Sequence, residues 1–361
     1  MKQYFQIAGA YMGLIVGAGF ASGQEVFQFF TSFGLYSLIG TAVATVLFAF
    51  LGMQIIQLGS RLKTTSHKDV LRQMCGKYVG TGVDILVTFF LFGVSVVMIA
   101  GSGSIFKQQF GISPIIGSFI LTVLVIVTLS LNVKKVISII SMMTPLLLIM
   151  ILIITGYSIF TSNANMEELD AIASSQSSGA PNWLVGGMLY VSYNIVAGFS
   201  MLAVIGGTVK NEKVARRGGF LGGLGLGLLL LLINLGMFMH ADKIQGVDMP
   251  TLFFANELSP MVGFFMALAL LGMIFNTAVG MLYAFTARFI QPETPRFKDS
   301  VLVIGLLAFG VSFIGFVELV GSVYPITGYL GFVLILAIVL SWISSRRKKD
   351  SGKDGNWTKV M

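Results

Sequence analysis

Long apolar segments recur along most of the chain and predict membrane-spanning helices. Crossing the hydrocarbon of a bilayer takes about 20 apolar residues at a rise of 1.5 Å per residue. The first apolar segment follows Lys2, as a secretory signal would, but no clear cleavage site precedes Phe30, which favours a retained helix. We predict an all-α polytopic membrane protein with about ten transmembrane helices at 4–30, 36–60, 79–101, 112–132, 136–160, 183–206, 218–240, 260–287, 300–319 and 324–345.

The composition agrees with a chain embedded in lipid. Hydrophobic residues make up 55% of the sequence and charged residues only 11%. A soluble domain carries roughly 25% charged residues, because its surface faces water. The single cysteine, Cys75, excludes an internal disulfide framework. These values exclude a soluble domain and leave the lipid bilayer as the surrounding partner.

The basic residues predict the orientation of the chain. If the N-terminus is cytoplasmic, ten helices leave only Lys107 and Lys243 of the 23 Lys and Arg residues on the outer side. Basic residues favour cytoplasmic loops, so a multi-pass cell-membrane protein with both termini in the cytoplasm is expected, including a basic tail at 346–361. Topology thus explains the net charge of +8, and no nucleic-acid partner is expected.

A polar stretch at 161–182 divides the single transmembrane domain, residues 1–361, into two halves. Five predicted helices lie in the first half, 4–160, and five in the second, 183–345. An odd number of helices makes the second half enter the membrane from the opposite side. If the halves are structural repeats, they are therefore inverted repeats.

Small and polar residues occur near the middle of the first helix of each half. The first carries Ala18-Gly19-Phe20-Ala21-Ser22, and the sixth carries the similar Ala197-Gly198-Phe199-Ser200-Met201. Glycine costs roughly 1 kcal/mol relative to alanine in a helix, and exposed main chain at this depth persists only beside a protein-enclosed or wet cavity. These patterns predict that helices 1 and 6 are broken. The alternative is that the small residues allow neighbouring helices to pack closely.

The run from Gly17 to Glu25, together with the five-plus-five division, resembles the YkvI-type family of bacterial membrane proteins. More broadly, the chain is similar to the amino acid–polyamine–organocation superfamily, which has the fold of the leucine transporter LeuT. This resemblance implies a substrate site between helices 1, 3, 6 and 8, with free main-chain groups suited to a charged solute. The residues expected there are Gly17, Ala18, Gly19, Phe20, Ala21, Ser22, Gln24, Glu25, Tyr193, Asn194, Ala197, Gly198, Phe199 and Ser200.

The same resemblance implies a possible site for a coupling Na⁺. Carbonyls between Val16 and Gly19 would face side-chain oxygens of Asn276 and Thr277 in helix 8. This pair departs from the tandem Ser/Thr pattern of similar transporters. Coupling to Na⁺, coupling to H⁺ and no coupling all remain open, and no other cofactor is expected.

Ionisable residues within predicted spans require a reason, because a charge at a helix centre costs about 2.5–3.5 kcal/mol on insertion scales. Glu25 is expected either to act as a coupling proton site or to pair with a substrate amino group. The alternatives are a hydrogen bond to a neighbouring helix or access to a wet vestibule. Asp84 is expected to pair with a loop Lys or Arg. Glu318 is expected to close helix 9 near the outer surface, and Lys134 and Lys135 to begin helix 5.

These features favour a secondary active transporter that moves a small amino-acid-like or amine solute by alternating access, coupled to Na⁺ or H⁺. The alternative is a LeuT-fold receptor that binds a small solute without moving it. An enzyme is not expected, because the sequence contains neither H-E-x-x-H nor G-x-S-x-G. The substrate, the direction of transport and the oligomeric state are left open.

Overall fold

The computed structural model describes residues 3–64, 67–130, 143–161, 165–292 and 294–350. The regular elements in these ranges are helices, joined by short turns. The α-helices are α1 Gln3–Ile15, α2 Ala18–Ser22, α3 Gln24–Phe29, α4 Tyr36–Leu62, α5 His67–Phe110, α6 Pro114–Ser130, α7 Met143–Thr161, α8 Met166–Ser174, α9 Trp183–Gly207, α10 Glu212–Phe238, α11 Pro250–Leu258, α12 Pro260–Thr286, α13 Pro295–Val311 and α14 Phe316–Asp350.

Seven of the predicted spans correspond to helical segments long and apolar enough to cross a membrane. They lie in α4, α5, α9, α10, α12, α13 and α14. Two more predicted spans correspond to α6 and α7, whose apolar parts are shorter. The first predicted span consists of the three short helices α1, α2 and α3. The all-helical membrane architecture is confirmed, whereas the count of ten and the inverted repeat stay predictions.

The boundary between the last two spans differs from the prediction. Helix α13 ends at Val311, and α14 begins at Phe316 rather than at residue 324. Gly315 separates them with a φ of 108°, a value that favours glycine. Glu318 therefore lies in the first turn of α14 and does not close the ninth helix, so that prediction was wrong.

Polar side chains fix where several helices begin. The side-chain oxygen of Asn182 accepts a hydrogen bond from the Val185 amide before α9, and Asn211 does the same for the Lys213 amide before α10. Ser259 and Thr294 cap α12 and α13, each directly before a proline. These caps satisfy amides that a helix N-terminus leaves unpaired and set the entry points of the second half.

Helices α4 and α10 pack with their main chains almost in contact. A Cβ atom at Gly219 would lie 2.8 Å from the Gly52 carbonyl oxygen, and one at Gly223 would overlap the Ala49 amide. Glycines thus allow the backbones to approach, as small residues do in membrane proteins. Helix α1 packs on this pair through α10, where a Cβ atom at Gly218 would lie 2.6 Å from the Ile7 side chain.

Candidate functional site

The first membrane segment is interrupted near its middle. Helix α1 ends at Ile15, and α2 begins at Ala18 after Gly17, whose φ of −101° and ψ of −172° are extended. A second change of direction occurs at Gly23, between α2 and α3, where φ is 83°. That left-handed conformation suits glycine, which has no Cβ atom to clash. The predicted interruption of helix 1 is therefore present.

The predicted break in helix 6 is wrong, because α9 runs without interruption from Trp183 to Gly207. Two of its polar side chains bond to carbonyl groups instead of marking freed main chain: Ser192 donates to the Gly328 carbonyl at 2.7 Å, and Asn194 to the Tyr190 carbonyl at 2.9 Å. A Cβ atom at Gly198 would lie 3.0 Å from Cδ1 of Ile15. The small residues of helix 6 thus allow helix 1 to approach, which was the packing alternative.

The Glu25 side chain is the ionisable group beside this interruption. Glu25 is 5% exposed, and its side chain folds back towards Gly19, where a Cβ atom would overlap Oε1. The Tyr193 hydroxyl donates a 2.6 Å hydrogen bond to the other oxygen, Oε2. The Tyr324 hydroxyl also lies close enough to the carboxylate to interact with it. The structure thus brings together Gly19, Glu25 and Tyr193 from the predicted set.

Aromatic rings surround this carboxylate. The rings of Tyr193 and Tyr324 are stacked with centroids 4.7 Å apart. Tyr190 packs edge-on against Tyr193 at 5.4 Å, and Phe29 lies 5.6 Å from Tyr193. Helices α3, α9 and α14 therefore converge on one side of the interruption.

Further polar groups lie next to the carboxylate along the chain. Ser22 Oγ donates to the Gly19 carbonyl at 2.8 Å and accepts from the Gln24 amide at 3.2 Å. Gln28 Nε2 donates to the Val317 carbonyl at 2.9 Å. Among the described residues, the buried atoms Oε1 of Gln24, Oε1 of Gln28 and the hydroxyl of Tyr190 have no hydrogen-bond partner. Such atoms are costly to leave unpaired in an apolar environment.

A short helix on the predicted outer side contacts the interruption directly. The Thr251 hydroxyl in α11 donates to the Ala21 carbonyl. The segment before α11 is tied to helix α5, because Gln108 exchanges two hydrogen bonds with the Met249 main chain, at 3.0 and 3.1 Å. Ser104 Oγ also donates to Asp248 at 2.7 Å. These bonds hold α11 and the segment before it against α2 and α5.

The opposite side of the interruption is more open. Gly9, Gly13 and Gly17 lie on one face of the first segment, each four residues from the next. A Cβ atom at Gly9 or Gly13 would have nothing within 4 Å, and one at Gly17 only the Ile15 carbonyl oxygen at 3.9 Å. By contrast, every residue from Ala18 to Ser32 is buried. Along this face, no side chain among the described residues lies within 4 Å of a Cβ atom added at Gly9, Gly13 or Gly17.

The residues of the possible Na⁺ site lie on neighbouring elements. Val16 is buried at the interruption, and Asn276 and Thr277 are partly exposed on α12, which packs against α2. Within the described ranges, no hydrogen bond joins Asn276 or Thr277 to Val16 or Gly19. The Na⁺ site stays a prediction.

The remaining predicted site residues divide by burial. Ala18, Phe20, Ala21 and Phe199 are buried in the main core. Ala197 is exposed, and Ser200 is partly exposed, so these two face away from the tyrosine cluster around Glu25. Sequence alone could not separate them, because the interruption expected in helix 6 would have re-aimed their side chains.

Other ionisable residues are engaged away from this site or lie outside the described ranges. Oδ1 of Asp84 forms an ion pair with a guanidinium nitrogen of Arg288 at 2.8 Å, which confirms the expected pairing with a loop residue. Lys134 and Lys135 lie outside the described residues.

Sequence reasoning missed Tyr324 and Thr251. The last span was predicted to begin at residue 324, so Tyr324 stood at its very end and was not among the candidate site residues. Because α14 begins at Phe316, Tyr324 lies two turns inside the helix. Thr251 belongs to a short helix between predicted spans, and its contact with Ala21 is long-range, so the sequence offers no signal for it.

Two bacterial membrane proteins resemble the chain over nearly its whole length. It is 27% identical over 347 residues to membrane protein YkvI of Bacillus subtilis, covering 95% of this chain and 97% of YkvI. It is 28% identical over 345 residues to YyaD of the same organism, covering 93% and 96%. The chain is a homologue of YkvI and YyaD. No family model matches it.

Solved structures share the fold of this YkvI homologue. The structure of MhsT in complex with L-phenylalanine matches with a TM-score of 0.59 and 15% identity, covering 94% of this chain and 97% of MhsT. The manganese transporter of Eremococcus coleocola matches with a TM-score of 0.59 and 15% identity, covering 94% and 78%. These structural neighbours are LeuT-fold transporters. At such identities the likeness shows the fold alone.

Proposed function

We propose that the protein is a secondary active transporter that moves a small amino-acid-like or amine solute across the cell membrane by alternating access, coupled to Na⁺ or H⁺. The observation that carries this proposal is the interruption of helix 1 beside the buried Glu25 carboxylate. Non-helical main chain and an ionisable group at this depth are typical of solute pathways in transporters. We also propose that both termini lie in the cytoplasm, because this orientation leaves only Lys107 and Lys243 of the 23 basic residues outside.

The contrast between the two sides of α2 supports alternating access. The outer side is closed by the bonds of Thr251, Gln108 and Ser104, whereas the face of Gly9, Gly13 and Gly17 is open. A carrier opens to one side at a time, and this arrangement corresponds to access from the cytoplasm. Neighbours of the same fold include a protein bound to L-phenylalanine and a manganese transporter, which supports solute or cation transport as the class of activity.

The uninterrupted helix α9 favours a second candidate function. With a break in only one of the two helices predicted to be broken, the chain could bind a solute at Glu25 as a receptor without moving it.

If the transporter is coupled to Na⁺, we propose that the ion is held by Val16, Gly19, Asn276 and Thr277. This proposal predicts that uptake requires Na⁺ and that Thr277→Val weakens the Na⁺ dependence.

Uptake into sealed vesicles tests the proposal. Purified protein would first be screened by thermal shift against amino acids and amines in Na⁺ or K⁺, and each stabilising solute would then be tested for accumulation. We expect Glu25→Gln to abolish accumulation, whereas Glu318→Gln, which changes a carboxylate in the first turn of α14, retains it. Binding without accumulation would favour the receptor. Equal loss in both variants would contradict the assignment of Glu25.

A further inference from the structure

Glu25 has no basic partner in the part of the chain whose side chains the structure describes. No Lys or Arg side chain there is buried. His240 is buried and can carry a positive charge. The His240 ring instead contacts Ser158 and Phe254, at the predicted outer end of α10. The titratable groups that face Glu25 from the helices packed on α3 are Tyr190, Tyr193 and Tyr324. None of these tyrosines carries a positive charge.

An ionised carboxylate in this position needs a positive counterpart. Removing a carboxylate from water is costly, and a hydrogen bond to the charged group recovers only part of that cost. The bond from Tyr193 to Oε2 therefore offsets part of the cost. The rest is removed by a proton on the carboxylate or by a cation beside it.

The surroundings of Glu25 suit an organic ammonium group better than Na⁺. Ring faces attract an ammonium group electrostatically, and the stacked rings of Tyr193 and Tyr324 lie beside the carboxylate. The Tyr190 hydroxyl, which packs in the same tyrosine cluster and has no hydrogen-bond partner among the described residues, is an acceptor for an N–H donor. The ring faces attract an ammonium group but give Na⁺ no oxygen ligand, so Na⁺ would depend on the tyrosine hydroxyls and the carboxylate alone. A solute with its own carboxylate would in addition meet like-charge repulsion from Glu25.

We propose, building on the transport function above, that the Glu25 carboxylate binds one cation at a time. This cation is either a proton or the ammonium group of an amine solute that lacks a carboxylate. Binding of the amine then displaces the proton: the neutral carboxylic acid releases H⁺ to water, and the carboxylate pairs with R–NH₃⁺. Return of the site to the other side requires a proton to replace the amine. The solute is exchanged for a proton rather than carried with it.

A proton-release measurement tests the shared site in detergent. Weakly buffered protein with a pH indicator would be titrated with 1,4-diaminobutane, methylammonium, L-alanine, acetate and NaCl. We expect the amines to bind with release of about one proton per carboxylate, and their affinity to rise about tenfold per pH unit while Glu25 is protonated. Glu25→Gln should neither bind the amines nor release protons, and Glu25→Asp should retain part of both. Binding of L-alanine in preference to amines, or amine binding that Glu25→Gln retains, would overturn the proposal.

Vesicles separate failure of this inference from failure of the transport function. An acidic interior should drive accumulation of 1,4-diaminobutane in wild-type vesicles beyond the level in vesicles with Glu25→Gln. The Glu25→Gln vesicles measure the passive trapping of a weak base, which is subtracted. Amine uptake driven by Na⁺, or by protons moving in the same direction, would overturn exchange and leave transport intact. Proton-releasing binding without uptake of any probe would uphold the shared site and reject transport.

Discussion

The Glu25 side chain folds back onto Gly19, on the far side of the turn at Gly23 between α2 and α3. Its Oε1 atom occupies the space that a Cβ atom at position 19 would need. Because position 19 has no side chain, the carboxylate can lie there and accept the hydrogen bond from the Tyr193 hydroxyl. The relationship links a local feature of the sequence, a glycine within the interrupted helix, to the geometry of the proposed site.

Gly19→Ala should therefore impair transport without unfolding the protein. The new methyl group overlaps Oε1 and displaces the carboxylate from the Tyr193 hydroxyl. Loss of a hydrogen bond to a charged group corresponds to roughly a tenfold or larger fall in the initial rate of uptake. Gly310→Ala is the matched control, since a Cβ atom there would have nothing within 4 Å. Similar rates for Gly19→Ala and wild type would show that the carboxylate is not held in place by this contact.

Tyr193→Phe tests the hydrogen bond while keeping the ring. The variant removes the donor 2.6 Å from Oε2 but retains the stack on Tyr324. We expect solute affinity to fall by about tenfold or more, with elution on size exclusion unchanged. Tyr283→Phe is the control, because Tyr283 is 38% exposed and packs on Phe297, away from the site. If both variants bind solute like wild type, the Tyr193 hydroxyl does not organise the site.

The interruption of helix 1 could be predicted because its cause is local. Gly17 and Gly23 adopt extended and left-handed conformations. They belong to a run with three glycines in seven residues, which the polar residues Ser22, Gln24 and Glu25 adjoin. The pattern in helix 6 looked alike, yet the outcome there depends on distant partners. Ser192 donates to the Gly328 carbonyl at 2.7 Å, and Gly198 accommodates Ile15 from another helix. The first contact satisfies the Ser192 hydroxyl and the second fills the space beside Gly198, and neither requires a break in the helix.

The tyrosine cluster shows a second limit of sequence reasoning. Tyr193 was among the predicted site residues, whereas Tyr324 was the first residue of the last predicted span, 324–345, and was not. The structure begins α14 at Phe316, so Glu318 belongs to its first turn. The predicted boundary therefore put Tyr324 at the end of its span, whereas the structure places it inside the helix. Pairing between side chains of α3 and α14 is a tertiary relationship that no local pattern specifies.

His240 should make stability depend on pH on the predicted outer side. Its burial, and secondarily the nearby charge of Lys243, lower the pKa of His240 below 6.5. The folded protein therefore favours neutral His240, which bonds to Ser158 at 3.0 Å. Because the unfolded chain takes up a proton first as the pH falls below 6.5, this stabilisation is complete above 6.5 and is lost as the pH drops through the lower folded-state pKa.

Melting temperatures in detergent between about pH 7 and about pH 5 would check this dependence. We expect His240→Asn to melt with a weaker pH dependence than wild type in that window. His67 is the other of the two histidines in the chain, so His67→Asn is the matched control and should keep the wild-type slope. An unchanged slope for His240→Asn would assign the pH dependence to other groups.

The open face of α1 predicts access by water from the cytoplasm. Cys75 is the single cysteine, so a Cys75→Ser background allows one new thiol to be introduced at a time. In that background, Gly13→Cys should react with a charged, membrane-impermeant thiol reagent added from the cytoplasmic side, because the position is exposed and has nothing within 4 Å. Thiol reagents attack the thiolate, which forms in a wet vestibule but not in hydrocarbon.

Leu306→Cys, at a position 50% exposed in the middle of α13, is the comparison for a residue that faces lipid. We expect Gly13→Cys to react faster by about tenfold or more, and a transported solute to slow it. Equal inertness of the two thiols would mean that the face of Gly9 and Gly13 contacts lipid, and the cytoplasmic route to Gly17 would then have to be abandoned.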